Sequence, residues 1–272
     1  MIVGKKYCSV CGKEKEHVHI KYANIDAFIE CECEKKFREE NEKNDRKYAL
    51  KTAIELRNKN SHLSVLGCEA SFDKATVDKY NEVAIRGGKF LLNQLLKGID
   101  DEKKNSLVLQ GNRGSGKTYI ACAVINDFNH RFPVSQARLN QILKERNNSY
   151  RKSEFSAVNS PCKFITETEL YSLYYDNYNY CKVDGPLDEF KKAPKLLVID
   201  DVGSTCYEKN RVRTMYLNII DYRYSQRLPI LLTTNLTKND FSDYLGDRVF
   251  DRLKACSYFI DITSPESRRC IN

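Results

Sequence analysis

The chain lacks any uninterrupted apolar run near the roughly 18 residues a membrane-spanning helix needs. Its start, MIVGKKYCSVCGK, has no apolar core of the secretory-signal kind, so a cytoplasmic protein is expected. No strong charge of one sign is present either: 45 Lys+Arg against 37 Asp+Glu leave +8, which permits nucleic-acid contact without demanding it. Internal repeats are absent, and 272 residues leave little room for two large domains. What the chain does have is cysteine. In a reducing compartment its odd count of 11 suits metal ligands and buried thiols better than a disulfide framework.

Composition divides the chain into three zones. Residues 1–36 hold four cysteines in two close pairs and too few apolar residues for a core, so they need a metal staple. A charged run that ends at Lys59, KKFREENEKNDRKYALKTAIELRNK, has no Gly or Pro, and residues 37–66 are read as a solvated helical linker. Over 67–272 short apolar runs alternate with helical patterns, which predicts a parallel α/β sheet. Five strands are expected: Leu107 to Leu109, Lys163 to Thr166, Leu196 to Ile199, Ile230 to Thr234 and Tyr258 to Ile262. Ile120, Ala121, Val124, Ile125 and Phe128 recur at helical spacing, as do Val212, Tyr216, Ile219 and Ile220. The polar stretch from Ser135 to Ser160 has no clear period and is expected to be a surface loop or poorly ordered arm.

Gly111-Asn-Arg-Gly-Ser-Gly-Lys117-Thr118 fits GxxxxGK[ST] and falls between a strand and a helix, as a phosphate-binding loop requires. Main-chain N–H groups and a helix N-terminus would cradle a phosphate there. The candidate nucleotide contacts are Gly111, Asn112, Arg113, Gly114, Ser115, Gly116, Lys117, Thr118 and Tyr119. Lys117 would reach the β- and γ-phosphates of ATP, and Thr118 would ligate Mg²⁺. Lys195-Leu-Leu-Val-Ile-Asp200-Asp201 reads as an apolar strand beside that loop, ending in two acids. Asp200 is the second candidate Mg²⁺ ligand, and Asp201 would orient the attacking water. Asn235, at the end of Ile230–Thr234, lies at the same sheet edge and could sense the γ-phosphate. Arg248 and Arg252 stand four apart on one helical face that a neighbouring subunit could use, and Arg269 is a further cation near the end.

Cys8-x-x-Cys11 and Cys31-x-Cys33 offer four thiolates, a donor set suited to tetrahedral Zn²⁺ in a closed, structural site, with His17 and His19 as spare ligands. The other cysteines have no ligand spacing and read as buried or incidental. Tyr171, Tyr174, Tyr175, Tyr178 and Tyr180, with Lys182, Lys191 and Lys192 nearby, could stack unpaired bases, although tyrosines at this spacing more often belong to a core.

Taken together, the phosphate loop, LLVIDD, YLNIIDYRYSQRLPILLTTN, GDRVFDRL and ESRR resemble the DnaC/DnaI-type helicase loaders and the related IstB-like transposition ATPases. These form a branch of the AAA+ superfamily, and the resemblance runs from about Cys68 to Arg269. It implies an AAA+ P-loop NTPase with a five-stranded parallel sheet, an ATP-dependent loader of a DnaB-like hexameric replicative helicase onto single-stranded DNA. In that pattern Asn235 is sensor 1, Arg248 the arginine finger with Arg252 beside it, and Arg269 the sensor-2 candidate. CEASFD, around Phe72, matches the segment that approaches the nucleotide base. The zinc end would grip the helicase, the tyrosine region would touch DNA, and copies would associate on the helicase. Asp201 stands where AAA+ proteins typically carry Glu, which implies slow or partner-stimulated hydrolysis. With about ten residues after the fifth strand, no helical lid of the kind many AAA+ proteins carry is expected, as in the loader family. Two other readings share these motifs: an IstB-like ATPase assisting a transposase, and a nucleotide-switched adaptor with little hydrolysis.

Overall fold

A computed structural model describes residues 5–20, 23, 25–99, 104–147, 160–179, 186–193, 195–204, 207–265 and 267–268. Strands β1 (His17–Ile20) and β2 (Ile25–Phe28) form an antiparallel hairpin, and α1 (Glu32–Asn60) follows as a helix of 29 residues. With no Gly or Pro to interrupt it, α1 carries acids in its first turn and bases in its last, matching the helix dipole at both ends. The remaining elements are α2 (Val65–Glu69), α3 (Glu82–Lys97), β3 (Ser106–Gln110), α4 (Lys117–Arg131), α5 (Gln136–Asn147), β4 (Cys162–Thr166), α6 (Glu167–Asn179) and α7 (Pro186–Lys191). After them come β5 (Leu196–Val202), α8 (Lys209–Ser225), β6 (Ile230–Thr234), α9 (Lys238–Leu245), α10 (Asp247–Cys256) and β7 (Ser257–Asp261). None of the described helices is long and apolar enough to cross a membrane.

The chain divides into two compact units at boundaries that composition does not mark. One comprises the described residues of 1–53 and 134–152, the other those of 54–133 and 153–272. In the first, α1 is not wholly solvated: Ala49 and Ala53 are buried, and their small side chains admit Leu139 and Ile142 of α5. Arg146 adds an ion pair to Asp45 at 3.0 Å and lies 4.4 Å from the centre of the Tyr48 ring. The expectation of an irregular stretch from 135 to 160 is therefore corrected over Gln136–Asn147, which is helical. Burial rests on Leu139 and Ile142 with Leu143 packed against them, a single helical turn of apolar positions that is too short to announce a period. Residues 148–159 lie outside the described residues.

The second unit begins inside α1, before the expected start at residue 67, because its last turn is bolted to α4 by buried polar groups. Arg57 donates to the carbonyls of Asn129, Phe132 and Pro133 at 3.1, 2.6 and 2.8 Å, and Asn58 pairs with Asn126 at 2.9 Å. The five-stranded sheet runs β4-β5-β6-β3-β7, parallel throughout. Alternate residues feed opposite faces: Leu107, Leu109, Val198 and Leu231 pack toward α3 and α4, whereas Val108, Ile199 and Leu232 meet the helices of the other face. β6 lies between β5 and β3, so the acids of β5 reach the phosphate loop past the end of β6.

Candidate functional site

The carboxyl ends of β3, β5 and β6 meet the N-terminus of α4 below a cavity of about 650 Å³. Arg113 through Tyr119 line it, together with Asp201, Ser204 and Asn235. Gly111 and Asn112, expected among the nucleotide contacts, sit behind it. A side chain at Gly111, whose φ is +145°, would collide with the Ile262 carbonyl, and the Asn112 amide is engaged with Ser264 at 2.5 and 3.0 Å. These contacts anchor the loop to the chain after β7.

Lys117 is buried, its Nζ donating to the carbonyls of Gly111 at 2.9 Å and Asn112 at 2.8 Å and to Asn235 Oδ1 at 2.8 Å. The phosphate-loop cation thus touches the amide at the end of β6. Thr118 Oγ1 lies 3.1 and 3.0 Å from the two carboxylate oxygens of Asp200, and Thr233 Oγ1 donates to the same carboxylate. Burial pushes the Asp200 carboxyl above the usual carboxylate range, opposed by the Thr233 hydrogen bond. A hydroxyl and a buried acid in contact form a hard oxygen donor pair, the chemistry a Mg²⁺ ion needs. Asp201 diverges from Asp200 because the β5–β6 register shifts between Ile199 and Val202 and Asp201 takes a φ of +56°, which turns it to the cavity.

The opposite wall comes from residues that the motifs did not mark: Lys74, Ala75, Thr76, Asp78, Asn81 and Ile85. The segment around Phe72, expected to approach the nucleotide base, leads directly into Lys74, Ala75 and Thr76 of this wall, while Phe72 itself is buried against α3 and α4 and its main-chain N–H donates to Asp127 at 3.1 Å. Tyr119 ties this segment to α4 through a 2.9 Å bond from its hydroxyl to the Ser71 carbonyl. Arg269 lies outside the described residues, but Arg268 lines the cavity. Its main-chain N–H donates to the Gly114 carbonyl at 2.9 Å, and its guanidinium meets Asp78 at 2.6 Å. Arg268 thereby spans from the phosphate loop to the opposite wall.

In the first unit the Sγ atoms of Cys8, Cys11, Cys31 and Cys33 all lie within 4.8 Å of one another. Adjacent pairs are 3.2, 3.7 and 3.2 Å apart, close to the edge of about 3.8 Å for a tetrahedron with metal–sulfur bonds near 2.3 Å. The main-chain N–H groups of Val10 and Cys11 face the Cys8 sulfur at 3.3 and 3.4 Å, the knuckle that such sites use to hold thiolate charge. Hydrogen bonding by the Lys13 main chain and neighbouring thiols draws Cys11 down to about 7. Glu34 reinforces the turn, accepting from Ser9 N and Oγ at 2.9 Å and pairing with Lys15 at 2.6 Å, which holds its carboxyl down to about 2. His17 packs against Phe28 with ring centres 5.4 Å apart and planes tilted by 60°, and neither His17 nor His19 belongs to the cluster.

Among solved structures, the DnaC helicase loader matches with a TM-score of 0.52 at 18% identity, over 73% of this chain and 99% of its own. DnaI gives 0.50 at 21%, over 76% and 95% respectively. A replication initiator DnaA bound to AMPPCP and single-stranded DNA gives 0.50 at 19%, over 76% of this chain and 53% of its own. This is the AAA+ fold. At these identities the likeness speaks for the fold alone; no family model and no curated protein matches the sequence at a significant level.

Within this AAA+ fold the remaining candidates stand apart from the cavity. Arg248 and Arg252 of α10 both pair with Asp221 of α8, Arg248 at 3.1 Å, and neither lines the cavity. Arg248 is 67% exposed and Arg252 23%. Of the tyrosines, Tyr171 is buried and stacked on Tyr207 at 3.8 Å, and Tyr174 packs against the core. Tyr175 is exposed, with the Arg211 guanidinium 5.8 Å from its ring centre. Lys191 lies near Tyr222 and Asn218, and Lys192 pairs with Asp188. The Tyr178 side chain, Tyr180 and Lys182 lie outside the described residues. Cys122 and Cys162 are buried and inert, burial pushing the Cys122 thiol up to about 12.

Proposed function

We propose that this chain is an ATP-dependent loader of a DnaB-like hexameric helicase onto single-stranded DNA in replication, with slow or partner-stimulated hydrolysis. The observation that carries the nucleotide reading is the contact of Thr118 with Asp200 beneath a cavity flanked by Lys117, Asp201 and Asn235. Lys117 engages the β- and γ-phosphates, Asp201 orients the attacking water, and Asn235, already bonded to Lys117, reports the γ-phosphate. Thr118 and Asp200 hold Mg²⁺, which supplies charge neutralisation on the phosphates when bound. Arg268, which lines the cavity, offers a cation from near the C-terminus beside the Arg269 that the resemblance points to. Arg248 is presented to a neighbouring copy on the helicase, steadied by Arg252 through Asp221.

Zn²⁺ held by Cys8, Cys11, Cys31 and Cys33 staples the first unit, whose task is gripping the helicase. The loader reading is supported by likeness in fold to a structure named as a DnaC helicase loader and to DnaI. Contact with single-stranded DNA is supported by the exposed Tyr175–Arg211 pair and by likeness to a DnaA bound to such DNA. Mixing the protein with a replicative helicase, with and without ATP, and measuring complex mass tests the reading. A defined complex whose mass depends on ATP is expected. Capture of a transposase without helicase would replace the loader by an IstB-like role. Absence of turnover with helicase and DNA present would leave a nucleotide-switched adaptor.

A further inference from the structure

Glu167 opens α6 directly after β4, and it is fully buried. A buried carboxylate is tolerated only where donors converge on it, and three do. Tyr216 Oη of α8 donates to one oxygen at 2.7 Å, while Tyr244 Oη of α9 and the Gly203 main-chain N–H donate to the other at 3.1 and 3.0 Å. The Gly203 contact matters for the nucleotide site, because Gly203 stands two residues after Asp201 in the turn that leaves β5.

That turn is unusual in its backbone. Asp201 at φ +56° and Gly203 at φ +84° both lie in the left-handed region, and a side chain at Gly203 would collide with Leu236. Ser204 N–H closes the turn on the Asp201 carbonyl at 3.1 Å. On the β6 side it is pinned by Thr233, whose hydroxyl receives the Asp201 N–H at 3.0 Å, and by Thr234, which donates to the Val202 carbonyl at 2.7 Å. On the α6 side, Glu167 is what holds it. An Asp in the left-handed region stays there only while its surroundings fix it. A displacement of about 1 Å at a water-orienting group costs on the order of 100-fold in rate.

We propose that Glu167 is a positioning residue for hydrolysis: through the Gly203 N–H it holds the turn that aims Asp201 at the attacking water. Tyr216 and Tyr244 fix the carboxylate rotamer, and no group of this set lines the cavity that would take the nucleotide. The inference rests on the ATPase reading and adds to it a residue remote from the phosphates. The full chain with its helicase is assayed for turnover at saturating ATP, for nucleotide affinity with a fluorescent ATP analogue, and for melting temperature. Glu167→Ala should lower kcat at least tenfold with nucleotide Kd within twofold of the parent. Glu167→Gln, which keeps an acceptor oxygen for Gly203, should recover most of that loss, and Tyr244→Phe, which leaves the Gly203 bond in place, should lose less than threefold. Should Glu167→Ala not fold, the Gln and Phe variants decide, since both retain packing volume. An unchanged kcat in Glu167→Ala, or losses in kcat and affinity that track the drop in melting temperature across all three variants, would overturn the role of Glu167. Parent protein without turnover would instead overturn the ATPase reading beneath it.

Discussion

Replacing Asp200 by Asn separates the cost of burying a charge from the work the charge does. The carboxylate is 4% exposed, accepts from Thr118 and Thr233, and is pushed toward its neutral form by burial. Asn has the same shape and keeps one oxygen for a hydroxyl, while its amide can donate to the other hydroxyl once that proton rotates away. The exchange trades hydrogen bonds to a charged group, about 1.5–3 kcal/mol each, for neutral ones of about 0.5–1.5, and removes the desolvation of a charge. These changes oppose one another, so without divalent cation Asp200→Asn should lie within about 1 kcal/mol of the parent, a shift of roughly 2–4 °C in Tm. With Mg²⁺ and ATP the balance alters. One unit charge at about 4 Å from another is worth about 4 kcal/mol at an effective dielectric constant near 20. Allowing for partial replacement of the carboxylate by water, a loss of roughly 2–4 kcal/mol in binding of ATP·Mg follows, or about 30- to 1,000-fold. Melting curves in EDTA, in ATP alone and in ATP·Mg, with a direct affinity titration, measure each part. A variant that melts many degrees lower in EDTA would show the charge to be structural, and one that binds ATP·Mg as tightly as the parent would refute its role as a metal ligand.

Chelation, or Cys8→Ser, should unfold the knuckle and hairpin, because structural zinc contributes roughly 10–16 kcal/mol to sites of this kind. Zinc release read with a chromogenic chelator and far-UV dichroism should change together, while nucleotide affinity, which belongs to the other unit, stays within twofold. Tyr175→Ala should weaken single-stranded DNA binding by about 1–3 kcal/mol at fixed salt, measured by fluorescence anisotropy. Tyr171→Ala, which empties the stack on Tyr207, should lower stability instead, by about 3–5 kcal/mol; equal effects of the two on DNA would remove Tyr175 as a base platform. Arg248→Ala should abolish helicase-stimulated hydrolysis, by about 10³ to 10⁵ if it serves as a finger, without changing Tm, since exposed ion pairs are worth about 0–1 kcal/mol. Undiminished stimulation would leave Arg248 as a surface partner of Asp221.

The sheet was legible because its central strands β3, β5 and β6 are short runs built on consecutive apolar residues, the pattern of a strand buried on both faces. Ile230–Thr234 lies where expected, and the other four differ from expectation only at their ends. Helix α5 was not legible, since its apolar contact is confined to Leu139, Ile142 and the half-buried Leu143, a single turn in an otherwise largely polar segment. Nor was the start of the second unit, which is set by Arg57, Asn58 and Ser61. Polar side chains in a charged helix read as solvated, and only their carbonyl and amide partners on α4, some seventy residues away in sequence, make them part of a core.

The same division runs through the candidate site. Residues that a motif marks were legible as candidates, Lys117 and Thr118 from the loop and Asp200 and Asp201 from the strand that carries them, and the structure brings the four together at the cavity. The wall facing the loop carries no motif, because Ala75, Thr76 and Ile85 shape it through their positions and any small or apolar residues would do. Arg268 shows where local reading ends. Of the two adjacent arginines in the terminal ESRR, the resemblance points to Arg269, which lies outside the described residues, and no motif marks Arg268. What brings Arg268 to the cavity is a tertiary contact, the bond from its N–H to the Gly114 carbonyl. That bond lays the Arg268 side chain across Gly116, with its Cδ 3.5 Å from where a Cβ there would stand. A Cβ at position 116 would meet Arg268 in ordinary van der Waals contact, so the cost of a substitution there comes from the left-handed φ of +97°. Gly116→Ala should accordingly disturb the phosphate cradle and leave the Arg268–Asp78 bridge, whereas Arg268→Ala should break the bridge and leave the cradle as it is.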